Sequence, residues 1–280
     1  MFDYDFMRTA FAAATIVAIV SGAVGYFVVL RSQAFTSHAL THVGFAGAAG
    51  AALVGVAPLW GLVLMTAAAG IAIGFLGEDL AHRDIATGIV LAFSLGLGLL
   101  FLHFFTASAN QVTALLFGNV LAVDRRLVWI LLALGVVCLA ALAALSRPLL
   151  FASLQPELAA AKGVSPRLYA VLFLIIVAIA TAECAQIVGV LLVFALMIGP
   201  AAAAQCLTRG IATGVLASVL LALAEAWLGI TLAYYTDWPS SFWITALSTA
   251  AYLAASLLRL WLADRPAPEP AAGAAPNPYI

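Results

Sequence analysis

The forty residues Leu168–Leu207 read LYAVLFLIIVAIATAECAQIVGVLLVFALMIGPAAAAQCL and contain one charged side chain, Glu183. About 20 apolar residues suffice for an α-helix to cross the hydrocarbon core of a bilayer. Because this run is twice that length, it predicts two helices that fold back on each other near Gln186–Gly189. The stretch therefore indicates an all-α membrane protein that crosses the bilayer more than once.

The composition of the whole chain leads to the same class. Of its 280 residues, 66% are hydrophobic and 8% are charged, and the mean hydropathy is +1.17. Soluble domains carry about 25% charged residues, so most of this chain must be buried in lipid. The net charge of −1 also argues against a nucleic-acid partner, which would call for a basic face.

Apolar runs predict nine membrane spans, with a tight turn near Pro58. An arrangement of eight spans and one re-entrant segment fits the same sequence, so we expect a polytopic protein of about 8–9 transmembrane helices. The nine runs cover about 9–30, 38–57, 59–76, 85–105, 127–145, 168–186, 187–207, 211–235 and 241–262.

The basic residues predict the orientation. With nine spans and the N-terminus outside, eight lysines and arginines face the cytoplasm and only Arg8, Arg125 and Arg126 face outward. Cytoplasmic loops carry the excess of basic residues, so we expect the C-terminus in the cytoplasm. Residues 1–263 then form the transmembrane domain, and the Pro/Ala-rich segment 264–280 is expected to be a disordered cytoplasmic tail.

Two histidines provide the clearest candidate chemistry. His38 and His42 are four residues apart in a predicted helix, so their side chains share one face. Two imidazoles in a membrane-embedded helix could bind a divalent transition metal transiently. The alternative interpretation is structural, with both rings hydrogen-bonded to neighbouring helices.

Other polar residues in the apolar runs are weaker candidates. Glu183 and Glu225 are intramembrane carboxylates, which often mark functional sites; each could be an added metal ligand or a partner for an arginine or histidine. His103 could be an entry ligand or an interfacial hydrogen-bonding group. Gly199–Pro200 predicts a kink or a break in its helix, because proline removes a backbone hydrogen bond.

Four segments carry motifs in a fixed order along the chain. They are Gly25–Arg31 followed by Ser37–His42 and Gly47, then LFGNVLAV at Leu116–Val123, QPELAAAKGV at Gln155–Val164, and VGVLLVFALMIGPAAAA at Val188–Ala204. Together they resemble the ABC-type zinc/manganese/iron permease family, the membrane subunits of bacterial high-affinity metal importers. The resemblance implies a type II-like ABC importer permease architecture in the bacterial cytoplasmic membrane.

The resemblance also implies residue roles. His42 matches a family histidine that lines the metal path, and His38 occupies the position where the family usually has aspartate. A pair of imidazoles favours zinc, while manganese or iron would favour a carboxylate. The segment Gln155–Val164 resembles the family's coupling element, which implies contact with an ATPase through five residues: Pro156, Glu157, Leu158, Ala159 and Gly163.

The implied function is the permease subunit of an importer for a divalent metal, without catalysis or a resident cofactor. The chain has no G-x-x-x-x-G-K-[ST] sequence, so the ATPase is expected on a separate chain. An extracytoplasmic metal-binding protein and a second permease copy, identical or paralogous, are the other expected partners.

Two other classes remain open. A proton-coupled secondary transporter could use Glu183, Glu225 and the histidines as proton carriers, but it leaves the Gln155–Val164 motif without a role. An intramembrane enzyme or haem protein is the third class. The sequence contains neither H-E-x-x-H nor G-x-S-x-G, and only His103 could partner the histidine pair in haem binding.

Overall fold

The computed structural model describes residues 4–76, 80–104, 116, 118, 120–154, 158, 162 and 165–263. These residues form nine α-helices and two 3-10 turns, at Val120–Ala122 and Val190–Leu192, and the described part of the chain contains no strand. The all-α prediction is confirmed. The helices are α1 Asp5–Leu30, α2 Ala34–Leu53, α3 Pro58–Leu76, α4 Leu80–His103, α5 Arg125–Leu154, α6 Pro166–Val188, α7 Val193–Leu207, α8 Ile211–Thr236 and α9 Ser240–Ala263.

Seven of these helices are long and apolar enough to cross a membrane. The two others are α2 and α7. Helix α2 has 20 residues, but its serine, threonines and histidines lower its hydropathy. Helix α7 has only 15 residues and is about 22 Å long at 1.5 Å per residue, which is less than the roughly 30 Å of a bilayer core.

Helices α1 and α6 form the centre of the bundle. Within the most apolar window of each, 72% of α1 and 78% of α6 is buried inside the protein, against 22–39% for the other five candidate spans. Helix α1 packs against α5, α6, α7 and α8. Small residues allow this close approach: the Gly22 carbonyl accepts a hydrogen bond from Ser218 Oγ of α8 at 2.7 Å.

Helices α2 and α3 form a hairpin around the predicted tight turn. Helix α2 ends at Leu53 and α3 begins at Pro58, so this prediction is confirmed. Gly47 and Gly61 face each other across the hairpin, and a Cβ on either residue would lie about 2 Å from the other's carbonyl oxygen. The two backbones are therefore in direct contact, which fixes how α2 sits on α3.

The chain reverses between α6 and α7 at the predicted place. Helix α6 ends at Val188, and Gly189 has a φ of 84°, a backbone conformation that side-chain-bearing residues rarely adopt. Gly118, with a φ of 72°, packs its backbone against Gly189. The expected 187–207 span is wrong in its extent, because Val190–Leu192 is a 3-10 turn and helix α7 begins only at Val193.

Two other sequence expectations need correction. Helix α7 continues through Gly199 and Pro200 to Leu207, so the expected break at Gly199–Pro200 is not observed, and the alternative of a kink stays a prediction. Pro200 is buried among α7's neighbours, and tertiary packing tolerates the one backbone hydrogen bond that proline removes. Helix α5 likewise includes Pro148 and runs to Leu154, nine residues beyond the predicted end of its apolar run.

Arg31, the basic residue of the first motif, anchors the turn between α1 and α2. Its Nη1 donates a hydrogen bond to the Leu149 carbonyl of α5 at 3.3 Å, and its guanidinium lies 5.3 Å from the centre of the Phe173 ring of α6. Burial and the nearby charge of Arg83 lower the pKa of Arg31 to about 10. The residue therefore remains charged at neutral pH and ties the turn between α1 and α2 to α5 and α6.

Candidate metal site

His38 and His42 lie side by side on α2, as the sequence predicted. Their ring centroids are 4.9 Å apart and the rings are perpendicular. Both side chains are half-buried. This separation allows one nitrogen of each ring to reach a shared ion at the roughly 2.0–2.1 Å of zinc–imidazole bonds.

The described structure does not show the hydrogen bonds expected if the two rings were purely structural. Among the described residues, neither imidazole takes part in a hydrogen bond to a neighbouring helix. The polar contacts in this part of α2 come instead from its serine and threonines: Ser37 Oγ lies 3.5 Å from Met197 Sδ, and Thr41 Oγ1 bonds the His38 carbonyl. The imidazole nitrogens therefore remain available for a ligand.

A groove opens beside His38. It has a volume of about 560 Å³ and runs between α2, the start of α7 and one face of α9. Its wall on α9 carries hydroxyl groups, at Thr245, Ser248, Thr249 and Tyr252. Most of the groove's lining is apolar, and three of these four hydroxyls donate hydrogen bonds to backbone carbonyls of α7 and α9.

Phe194, in the first turn of α7, forms the other contact of His38. The two ring centroids are 5.6 Å apart with an interplanar angle of 86°. Sequence reasoning did not find this residue, because a phenylalanine inside an apolar run has no distinguishing pattern. Only the reversal at Gly189 places it beside α2.

The two buried carboxylates lie elsewhere in the bundle. Glu183 on α6 is fully buried and faces α5, where a Cβ on Gly135 would lie 3.5 Å from its Oε2. Glu225 on α8 is 4% exposed. In the described part of the protein, Glu183 has no hydrogen-bond partner, Glu225 lies beside the Ser248 hydroxyl of α9, and neither carboxylate has an ion pair with arginine or histidine.

Glu183 is therefore not a third ligand beside the histidines. No three histidine, cysteine, aspartate or glutamate side chains among the described residues come close enough to hold one metal ion. The physical reason is the rotation of α6, which directs Glu183 toward α5 while α2 packs on α3 and α4. His103, the last residue of α4, contacts Phe104 with a centroid distance of 5.3 Å and is likewise not part of the pair.

The predicted coupling element is only partly visible. Pro156, Glu157, Ala159 and Gly163 lie outside the described residues, as does the tail 264–280. Leu158 is 52% exposed, and its carbonyl accepts a hydrogen bond from the Lys162 backbone N–H at 3.1 Å. This bond spans four residues, as in one turn of an α-helix.

Comparison with known proteins gives the family. Residues 3–259 match the model of the ABC 3 transport family. A "Probable metal transport system membrane protein" of Treponema pallidum is 33% identical over 238 residues, which are 85% of this chain and 89% of that protein. The manganese import system permease protein ScaB of Streptococcus gordonii is 30% identical over 233 residues, covering 83% and 84% of the two chains.

A solved structure shares the fold. PsaBC from Streptococcus pneumoniae, determined in complex with Fab, aligns with a TM-score of 0.82 and 25% identity, over 93% of this chain and 96% of its own. Both the sequence match and the arrangement of helices extend over nearly the whole chain. This chain belongs to the ABC 3 transport family, and it is a multi-pass membrane permease of that family.

Proposed function

We propose that this chain is the membrane subunit of an ATP-driven importer for a divalent transition metal, and that His38 and His42 contact the ion as it passes. The observation that carries the proposal is the pair of imidazoles 4.9 Å apart, one of which lines an open groove. Two protein ligands leave the rest of the coordination shell to water, so binding is weak enough to allow release.

Zinc is the cargo that this pair favours. Imidazole suits zinc and other late divalent metals, whereas manganese prefers carboxylate and water. ScaB and MntC, the latter from Halalkalibacterium halodurans and 28% identical over 238 residues, are named for manganese. The names of these relatives favour manganese, whereas the two imidazole ligands favour zinc. We propose that the permease takes up zinc faster than manganese, because the ligands contact the ion.

The driving force comes from a separate ATPase in this proposal. Leu158, which follows α5 in the sequence, exposes an apolar side chain to which a partner could bind. We propose that the segment around it, Gln155–Val164, contacts the ATPase. An extracytoplasmic metal-binding protein and a second permease copy complete the assembly, with the N-terminus outside the cell.

ATP-dependent uptake tests this function. Proteoliposomes would contain the permease with its ATPase and binding protein, and initial rates of zinc and manganese uptake would be measured for wild type, His38→Ala and His42→Ala. We expect both variants to lose at least about tenfold in rate with the complex still assembled. The matched control is His103→Ala, which removes an imidazole outside the pair and is expected to keep the wild-type rate.

One observation favours a second candidate. Glu183 and Glu225 are buried carboxylates without an ion pair among the described residues, as a proton-coupled secondary transporter would need. Omission of the ATPase separates the two functions. Uptake that requires only a proton gradient would replace the importer proposal, and uptake that requires ATP and its hydrolysis would support it.

A further inference from the structure

Three aromatic rings form a row that begins on α2 and ends on α7. The His42 ring meets the His38 ring edge-on at 4.9 Å, and the His38 ring meets the Phe194 ring edge-on at 5.6 Å. His38 is therefore held between the second imidazole on one side and Phe194 on the other. Edge-to-face pairs at these distances are attractive.

The backbone that carries Phe194 is firmly placed. A Cβ on Gly25 of α1 would overlap the Met197 carbonyl oxygen, and a Cβ on Gly199 would overlap the Ser248 hydroxyl of α9. The Ser37 hydroxyl of α2 contacts Met197 Sδ at 3.5 Å. Helix α7 is thus wedged between α1, α2 and α9, so Phe194 has little freedom to leave His38.

The contact between His38 and Phe194 matters because the groove beside His38 leaves room for its ring to turn. With about 560 Å³ of open space next to it, the His38 ring could turn away from His42 if nothing held it. Phe194 lines the same groove and is 41% exposed, so it occupies part of the space into which the ring would turn. Immobilising a ligand before the ion arrives removes an ordering cost from binding.

We propose that Phe194 is a positioning residue for the metal site: its ring holds the His38 imidazole beside His42, so that both rings can bind one divalent ion. Phe194 does not itself bind the metal. The inference rests on the proposed function, since it assigns a role to Phe194 at that same site.

Cobalt(II) binding is the test, because the visible absorption of this ion changes with its coordination number and ligand field. Full-length permease in lipid nanodiscs would be titrated with Co²⁺ for wild type, Phe194→Ala, Phe194→Leu and Phe194→Tyr. The matched control is Phe93→Ala, at a phenylalanine on α4 that is 67% exposed and absent from the groove. His38→Ala and His42→Ala show how much of the signal belongs to the pair.

We expect the dissociation constant to rise about two- to twelvefold in Phe194→Ala and Phe194→Leu, the range that corresponds to one aromatic pair. Phe194→Tyr, which keeps the ring edge against His38, should restore wild-type binding. The Co²⁺ spectrum should also change in the alanine variant, because a misplaced imidazole alters the ligand field. A purely structural effect would lower the melting temperature without the rescue by tyrosine.

The outcomes separate the two proposals. Wild-type affinity and spectrum in both Phe194→Ala and Phe194→Leu, with binding lost in His38→Ala, would overturn the positioning role and leave the metal site in place. Unchanged binding in His38→Ala and His42→Ala would overturn the metal site and the role of Phe194 together. If Phe194→Ala fails to fold, the comparison of Phe194→Leu with Phe194→Tyr decides whether the ring at position 194 positions His38.

Discussion

At the scale of single residues, the metal preference of the proposed site depends on the side chain at position 38. The motif that this chain resembles has an aspartate there, and this chain has a histidine that contacts His42 and Phe194. The exchange keeps a metal-binding atom and removes a negative charge. Because hard ions such as manganese prefer oxygen ligands and zinc accepts imidazole readily, the exchange favours zinc.

The substitution His38→Asp should move the preference back toward manganese. We expect the ratio of manganese to zinc uptake to rise by about tenfold, which is about 1.4 kcal/mol of differential binding. The measurement is competitive uptake of the two metals into proteoliposomes. His38→Asn has the size of aspartate and no charge, so it should raise the ratio less than His38→Asp does and lower the uptake of both metals. An unchanged ratio in His38→Asp would show that position 38 does not contact the ion.

At the scale of elements, the short helix α7 determines the geometry of the site. It begins after the reversal at Gly189 and packs against α1, α8 and α9. The contact of Gly25 with the Met197 carbonyl determines how close α7 approaches α1, and so where Phe194 stands. A larger side chain at position 25 must displace α7.

The substitution Gly25→Ala should therefore disturb both stability and metal binding. We expect a cost of about 1–3 kcal/mol, as for other overpacked contacts, seen as a lower melting temperature in nanodiscs, together with weaker Co²⁺ binding. The control is Gly88→Ala on α4, where a Cβ would meet nothing within 4 Å. That change should be neutral or stabilise the helix by up to about 1 kcal/mol. Equal melting temperatures for the two variants would contradict a tight α1–α7 contact.

The same elements show what the sequence could predict. The reversal near Gly189 was predictable, because an apolar run of forty residues exceeds the bilayer and glycine permits the turn. The continuation of α7 through Gly199–Pro200 was not predictable, since the cost of a buried proline depends on neighbours that only tertiary structure supplies. The spacing of His38 and His42 predicted their contact within one helix. The contact of His38 with Phe194 joins residues 156 positions apart and has no local pattern.

At the scale of the whole molecule, the proposed import function requires a particular orientation in the membrane. The basic residues favour the N-terminus outside, which places the α2–α3 turn outside and the α7–α8 turn in the cytoplasm. The latter assignment also requires that the 3-10 turn and α7 together carry the chain across the membrane. A re-entrant α7 would instead return residue 209 to the outer side.

Cysteine labelling tests this orientation. Val56→Cys, in the exposed turn between α2 and α3, should react in intact cells with a maleimide that cannot cross the membrane. Arg209→Cys should react only after the membrane is opened. The native cysteines lie within helices, with Cys138 and Cys184 buried and Cys206 half-buried, so wild type provides the background. Labelling of Arg209→Cys from outside would show that α7 does not cross.

In our proposal, two imidazoles of one helix hold the transported ion. X-ray absorption at the zinc edge would detect these two ligands. The sample is the full-length permease in nanodiscs with one equivalent of zinc, compared with His42→Ala. We predict two imidazole nitrogens at about 2.0–2.1 Å with oxygen completing the shell, and at most one imidazole nitrogen in the variant. A sulfur shell at about 2.3 Å, or two imidazole nitrogens that persist in His42→Ala, would contradict coordination by the pair.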